Sequence, residues 1–263
     1  MVYPFISVEQ DSRGVFTVTL NRPEKHNAFD DQIIYQLSHI FNEIAANPTA
    51  RVMILAANGK SFSAGADLNW MKSMIEYSYE RNLSDANALA SMLKTLNDMP
   101  IPTIAKVQGG ALGGAVGLVS CCDIAVATSS TYFCLSEVKI GLIPATIGPY
   151  VIQAIGQRAA RRYFNTAERF DADTAAALGL ISEVVDTERL DESVNQFVQQ
   201  LLSNSPAAIK ASKQLISDVA GKDIDKTLID TTSERIANIR ISTEGQQGLS
   251  AFLDKQPAPW LNS

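Results

Sequence analysis

The chain has 263 residues, 46% of them hydrophobic and 19% charged, with a net charge of −6 at pH 7. This composition is typical of an ordinary soluble globular protein with a large core. The acidic balance argues against a global basic surface for nucleic acid or for an anionic membrane. No apolar run approaches the ~18 residues that a membrane span needs.

The N-terminus and the cysteines predict the compartment. The first residues show no basic leader, no signal-type apolar core and no Arg-rich presequence, so we expect a cytoplasmic protein. Cys121, Cys122 and Cys134 have no CxxC spacing, and only His26 and His39 accompany them. They are interpreted as reduced, buried thiols, and no metal site is expected.

Strand-like and helix-like segments alternate through the first half of the chain. Short apolar runs and helical spacing of apolar residues define them. In chain order they are a hairpin of Val8 and residues 15–20 around the turn 11–14, a helix from Asp30 or Asp31 to Ile44, a strand at 51–56, a helix through Leu83, Leu89, Leu93 and Leu96, and a strand at 103–107.

The second half is predicted to be increasingly helical. Residues 113–122 have no polar face, which suits a helix buried inside the domain. Strands are expected at 123–127, 132–135 and 181–185, and helices elsewhere beyond Gly148. The sequence thus predicts an α/β fold with a core domain over residues 1–204 and a helical region over 205–263.

Two small-residue segments follow the buried strands: residues 61–68 (SFSAGADL) and residues 109–115 (GGALGGA). Strand, small-residue loop and helix occur twice, so both loops are expected where open α/β sheets bind ligands. Small residues leave main-chain N–H groups uncovered, and two such groups aimed at one oxygen make an oxyanion hole. The alternative is that glycine and alanine only permit close helix–sheet packing. No phosphate-loop or GxSxG pattern is present.

Three segments make the chain resemble the enoyl-CoA hydratase/isomerase (crotonase) family: residues 21–28 (NRPEKHNA), residues 62–68 (FSAGADL), and Gly113 and Gly114 ahead of residues 122–124 (CDI). The resemblance implies a crotonase-like spiral of ββα repeats with a helical C-terminal trimerisation region. It also implies homotrimers, which commonly pair into hexamers. The implied substrate is an acyl-CoA thioester, with coenzyme A as part of the substrate and no separate cofactor.

The resemblance also assigns site residues. The backbone N–H groups of Ala66 and Gly114 would hold the thioester oxygen. Other matching positions would contact the substrate or its coenzyme A: Lys25, Ala28, Ala64, Asp67, Leu68, Gly110, Phe252 and Lys255. In such proteins the last two sometimes come from a neighbouring subunit. For any single lysine the default interpretation is a solvated surface charge.

Glu137 is the candidate proton carrier. It lies among apolar residues, where a charged carboxylate lacks solvation. The alternative is a structural glutamate paired with Lys139. The position of the family's catalytic glutamate coincides with Glu137, and an apolar pocket would raise its pKa. Two backbone donors and one carboxylate suit addition of water to an enoyl thioester through an enolate.

Two departures from the family pattern leave the reaction open. Two-glutamate hydratases carry a second glutamate where this chain has Gly117, and residues 145–149 (ATIGP) replace the usual glycine-rich turn. Residues 113–125, 135–142 and 159–163 resemble bacterial 3-methylglutaconyl-CoA hydratases of leucine degradation. That hydratase activity is our prediction, and a one-glutamate enoyl-CoA isomerase is the alternative.

Two further interpretations concern binding. One relative of the family binds RNA through a lysine-rich helix, but residues 31–47 contain no lysine or arginine, so nucleic acid is not an expected partner. A non-catalytic acyl-CoA-binding protein is disfavoured because Glu137 is retained. Four residues at helical spacing could line an acyl pocket or belong to the core: Trp70, Met71, Met74 and Tyr77.

Overall fold

The computed structural model describes residues 3–261. Within these residues nine strands form two sheets: β1 Ile6–Gln10, β2 Val15–Leu20, β3 Val52–Ala57, β4 Thr103–Val107, β5 Gly110–Leu112, β6 Ile124–Thr128, β7 Tyr132–Cys134, β8 Phe170–Asp171 and β9 Glu183–Val185. The main sheet has the order β1-β2-β3-β4-β6-β9. Only β1 and β2 are antiparallel within it, and the second sheet has the order β5-β7-β8.

In the described part of the chain, ten α-helices accompany the sheets: α1 Asp31–Ala46, α2 Leu68–Met74, α3 Tyr79–Asn97, α4 Gly114–Cys121, α5 Gly148–Thr166, α6 Ala172–Ala177, α7 Leu190–Leu202, α8 Pro206–Val219, α9 Lys226–Ile241 and α10 Thr243–Leu253. Helix α1 illustrates how sequence sets these elements. The Asp30 side chain caps it by accepting from Ile33 N–H, and its buried residues follow helical spacing.

The sequence predicts most of these elements. The hairpin, the helix from Asp30 and the strand at residues 103–107 are confirmed. The second glycine-rich segment differs from the prediction, because β5 lies inside what was expected to be a loop. Its residues pair in parallel with β7, which satisfies their backbone groups in a second sheet. Strand β8 was also not predicted.

Helix α4 lies inside the main hydrophobic core. Six of its eight residues are buried, as its lack of a polar face predicts. Its first residue, Gly114, belongs to the second small-residue segment, and α3 and α5 both pack against the helix. The start of α4 is therefore held between packed helices and the second sheet.

The C-terminal helices are packed differently. None of the described residues of α8, α9 and α10 is buried. Large apolar side chains are exposed in this region, including Ile224 between α8 and α9 at 85% and Phe252 on α10 at 79%. The predicted boundary at residue 205 falls between α7 and α8, and its role as a domain boundary stays a prediction.

Candidate active site

The two small-residue segments lie side by side. Strands β3 and β4 are parallel neighbours, so their following segments leave the same edge of the sheet. A parallel bridge then joins Ser63 to Ala111. In it the Ser63 N–H donates to Gly110 O at 3.1 Å, and the Leu112 N–H donates to Ser63 O at 3.0 Å. Ala66 and Gly114 each stand three residues beyond this bridge.

A close backbone approach explains the glycine before Ala66. Gly65 has a φ of +85°, and a Cβ there would lie 2.8 Å from Leu112 O. Side chains rarely adopt that φ, and this contact would force the segments apart. Gly65 therefore allows the first segment to lie directly against the second.

The N–H groups of Ala66 and Gly114 are uncommitted. Neighbouring N–H groups are used: Gly65 donates to Ser63 Oγ, Asp67 to Phe29 O, and Gly113 to Cys134 O. Within residues 3–261, neither the Ala66 nor the Gly114 N–H donates to a protein acceptor. Two free backbone donors at the junction of the segments can hold one oxygen atom of a ligand.

Glu137 lies against the same junction. It begins a 3₁₀ helix, Glu137–Ile140, and its Oε1 is 3.2 Å from where a Cβ on Gly113 would stand. Its Oε2 is buried and has no hydrogen-bond partner among the described residues. Among the described residues, Glu137 and Lys139 form no ion pair. A structural role for Glu137 as the partner of Lys139 is therefore not supported. Burial raises the pKa of the Glu137 carboxyl above its ordinary value, which suits a group that both accepts and returns a proton.

These groups share one cavity of about 500 Å³. Its wall is mostly apolar, with a few polar groups, as is typical of a small-molecule site. The described lining residues are Phe29, Ala64, Gly65, Ala66, Leu68, Trp70, Met71, Met74, Asn82, Asp85, Ala86, Leu89, Gly113, Gly114, Ser136, Glu137, Ile140, Leu142, Ile143, Pro144, Thr146 and Ile147.

The position of the missing second glutamate is filled. Gly117 is buried in α4, and a Cβ there would lie 2.8 Å from Ile147 Cβ and closer still to Ile147 Cγ2. Ile147 belongs to the segment that departs from the family's glycine-rich turn, and it is 2% exposed. The two departures from the family pattern, Gly117 and residues 145–149, therefore pack against each other.

The other site residues expected from the sequence fall into two groups, those that line the cavity and those that do not. Ala64, Ala66, Leu68 and Gly114 line the cavity, as do Trp70, Met71 and Met74. Residues outside the lining are Lys25, Ala28, Asp67, Tyr77, Gly110, Phe252 and Lys255. For Phe252 and Lys255, a contribution from a neighbouring subunit stays a prediction.

Asp67 and Gly110 are buried and do not line the cavity. The Asp67 carboxylate caps α2 by accepting from the N–H groups of Asn69 and Trp70. Burial acts to raise the pKa of Asp67, but the Asn69 N–H and the Lys25 ammonium outweigh burial, and its pKa lies below the ordinary value. Gly110 O accepts the Ser63 N–H in the bridge described above.

Sequence reasoning missed several lining residues. Phe29 packs where a Cβ on Gly114 would stand, with its Cε2 at 2.9 Å. Asn82 and Asp85 are one helical turn apart on α3 and reach the cavity with Leu89. Leu89 is one of the apolar residues that predict this helix from the sequence. Residues three, four and seven positions before it lie on the same helix face, so the sequence could have placed Asp85 and Asn82 beside it.

Two further features of the described residues bear on metal-dependent and membrane-spanning classes of protein. Within residues 3–261, no three His, Cys, Asp or Glu side chains are grouped so that they could hold a metal ion. No described helix combines the length and the apolar character required to cross a membrane.

Comparisons with known proteins agree with this geometry. The family model for enoyl-CoA hydratase/isomerase matches residues 10–263. A short-chain-enoyl-CoA hydratase of Clostridium acetobutylicum is 31% identical over 92% of this chain and 92% of that protein. A crotonyl-CoA hydratase of Syntrophomonas wolfei is 28% identical over all of both chains. A solved enoyl-CoA hydratase of Shewanella pealeana is 48% identical, covers 98% of this chain and 96% of its own, and superposes with a TM-score of 0.95.

Proposed function

Since this chain belongs to the enoyl-CoA hydratase/isomerase family, we propose that it adds water to a 2-enoyl-CoA thioester. The observation that carries the proposal is the junction of two uncommitted backbone donors with the half-buried Glu137 carboxylate in one mainly apolar cavity; the buried Oε2 of that carboxylate has no hydrogen-bond partner among the described residues. Such a cavity accepts an acyl chain, and the donors suit the thioester oxygen.

The proposed mechanism uses one carboxylate for both proton transfers. Glu137 accepts a proton from water as the water oxygen bonds to C3. The electrons of the double bond move onto the thioester oxygen, where the Ala66 and Gly114 N–H groups stabilise the enolate. Glu137 then returns the proton to C2, which completes the 3-hydroxyacyl-CoA and regenerates the carboxylate.

The filled space at Gly117 supports a second candidate, an enoyl-CoA isomerase. Moving a double bond needs only one base to carry a proton between carbons C4 and C2. The Gly117–Ile147 packing leaves Glu137 as the carboxylate beside the junction. The intermediate would be a dienolate, and the same two donors would stabilise the negative charge on its oxygen.

Within the hydratase class we propose 3-methylglutaconyl-CoA as the specific substrate, as the sequence resemblance indicates. Its distal carboxylate would enter a cavity whose described lining holds Asp85 and Glu137 but no lysine, arginine or histidine. Neutral donors such as the Asn82 amide, or a neighbouring subunit, would have to bind it. Because the charged residues of the described lining are both acidic, a comparison of 3-methylglutaconyl-CoA with crotonyl-CoA tests this choice of substrate directly.

We also propose that the chain assembles as a trimer or as a hexamer of two trimers. The exposed apolar side chains on α9, α10 and the segment before α9 support this, because apolar surface of that extent favours burial against another chain.

The test of the proposed function uses purified full-length protein with crotonyl-CoA, 3-methylglutaconyl-CoA and a 3-enoyl-CoA. Loss of conjugated-thioester absorbance and a mass gain of one water identify hydration, while a gain of conjugation without mass change identifies isomerisation. We expect hydration. Isomerisation alone would replace the hydratase assignment, and acyl-CoA binding without either reaction would end both proposals.

A further inference from the structure

Two aspartates, the buried Asp67 and the half-buried Asp30, flank the contact that fixes Ala66. A bridge joins Phe29 to Ala66: the Phe29 N–H donates to Gly65 O at 2.8 Å, and the Asp67 N–H donates to Phe29 O at 2.9 Å. Asp30 directly follows Phe29, and Asp67 directly follows Ala66. The position of the Ala66 donor therefore depends on how these two aspartates are held.

Each aspartate uses its two carboxylate oxygens differently. Asp30 Oδ1 accepts the Ile33 N–H at 3.1 Å and caps α1, while Asp67 Oδ1 accepts the Asn69 N–H at 2.8 Å and caps α2. Both Oδ2 atoms are directed at one guanidinium. Arg22 Nη1 lies 2.9 Å from Asp30 Oδ2, and Arg22 Nη2 lies 3.4 Å from Asp67 Oδ2.

Arg22 is itself firmly placed. Its backbone N–H donates to Asn27 Oδ1 at 2.8 Å, and its guanidinium lies over the Phe5 ring at 4.9 Å. The side chain is 10% exposed. Lys25 also contacts Asp67, at 3.2 Å, but its side chain is 41% exposed. Arg22 is thus the fixed partner of Asp67, and Lys25 is free to exchange with solvent or ligand.

We infer that Arg22 is a positioning residue: by joining the caps of α1 and α2 it sets where the Ala66 N–H points within the site. The planar fork of a guanidinium can bridge two carboxylates at once, whereas an ammonium acts as a single point charge. Without the bridge, the buried Asp67 carboxylate and the half-buried Asp30 carboxylate are left with one mobile cation, and the Phe29–Ala66 contact loosens. The inference rests on the proposed use of the Ala66 N–H as an oxyanion donor.

The test compares Arg22→Met, Arg22→Lys and a matched control, Arg51→Met. Arg51 is half-buried and donates to Leu202 O and Asn204 O, at the end of β3 remote from the small-residue segments. Two readouts are used: kcat and KM with crotonyl-CoA, and the red shift of a conjugated dienoyl-CoA on binding. The red shift reports polarisation of the thioester carbonyl and needs no turnover, so it remains informative even if hydration is absent.

We expect Arg22→Met to lower kcat by about tenfold to a hundredfold, because a displaced catalytic donor costs that much, with little change in KM. The red shift should shrink, Arg22→Lys should recover part of both, and Arg51→Met should alter neither. An unchanged red shift and kcat in Arg22→Met would overturn the inference. Equal losses in the Arg51→Met control, after correction for folded fraction, would also overturn it.

A second variant covers the case in which Arg22→Met does not fold. Asp30→Asn keeps an N-cap for α1, because asparagine caps as well as aspartate, and removes only the charge that Arg22 binds. We expect the same loss of kcat and of red shift in a folded protein. A folded Asp30→Asn protein with wild-type values for both would contradict the positioning role.

Discussion

Ile147 occupies the space that a side chain on Gly117 would need. A Cβ on Gly117 would stand 2.8 Å from Ile147 Cβ and 3.6 Å from Leu93 Cδ2. The loss of a carboxylate on α4 and the gain of a branched residue before α5 are therefore complementary. Neither can be reversed alone without a clash or a void.

This coupling predicts non-additive stabilities. Gly117→Glu alone should be destabilising by about 1–3 kcal/mol or more, because it overpacks the core. Ile147→Gly removes the clash, and the glycine is needed because the Ile147 Cβ itself blocks the space. The double variant should be less destabilised than the sum of the singles in urea unfolding, and it should hydrate crotonyl-CoA faster than either single variant. Additive losses would show that the two positions are independent.

Glu137→Gln should abolish most turnover and spare binding. Removal of a general acid–base group costs about 10²–10⁴ in rate, while the amide keeps the shape of the carboxyl group. The measurement is kcat with crotonyl-CoA beside the affinity for a saturated acyl-CoA. Lys139→Gln, two residues away and exposed, is the matched control and should leave kcat unchanged. Comparable kcat in both variants would remove Glu137 from the mechanism.

The pH dependence of the activity follows from the raised pKa of Glu137. The carboxyl must be ionised to accept a proton from water, so kcat/KM should fall as the pH drops through that pKa. Because burial raises it, the acid limb should lie above the ordinary range of a glutamate. A pH–rate profile measures this directly. An acid limb at the ordinary glutamate pKa would contradict the burial argument.

The same shift predicts that Glu137→Gln changes stability. With a raised pKa the folded state binds more protons than the unfolded state above the ordinary glutamate pKa. Stability is therefore lost as pH rises through the folded-state pKa. Glu137→Gln removes this loss and should be more stable than wild type at pH 8, with a smaller difference at pH 4. Exposed Glu76→Gln is the control; an equal effect in both variants would be evidence against the shift.

Asp85→Asn should change the selectivity between charged and neutral acyl chains. The substitution removes one of the two negative charges of the described lining and keeps the size of the side chain. The ratio of kcat/KM for 3-methylglutaconyl-CoA to that for crotonyl-CoA should rise, because repulsion of the distal carboxylate decreases. An unchanged ratio would place the distal carboxylate away from α3.

Phe252→Glu should weaken assembly. The Phe252 side chain is 79% exposed in the single chain, and a buried contact with another chain would not tolerate a charge. Light scattering coupled to gel filtration should show smaller species than wild type. Gln247→Glu, on a different face of α10, provides the control. A monomeric wild-type protein would contradict the proposed trimer.

The local sequence determined several secondary-structure elements and the chemical groups of the candidate site. Apolar spacing fixed the hairpin, the helix from Asp30 and the strand before the second small-residue segment, because each signal depends on residues close along the chain. Glycine and alanine at residues 64–66 and at 113–115 indicated exposed backbone donors. The apolar surroundings of Glu137 indicated a carboxylate with a raised pKa.

Only the tertiary structure decided which groups meet. The pairing of Ser63 with Ala111, the bridge from Arg22 to two helix caps, and the filling of the space beside Gly117 by Ile147 each join residues far apart in the chain. No local periodicity encodes such contacts, because close packing fills a space from whichever segment the fold brings there. The sequence supplied the carboxylate and the donors, and the packing determined that one carboxylate stands beside them.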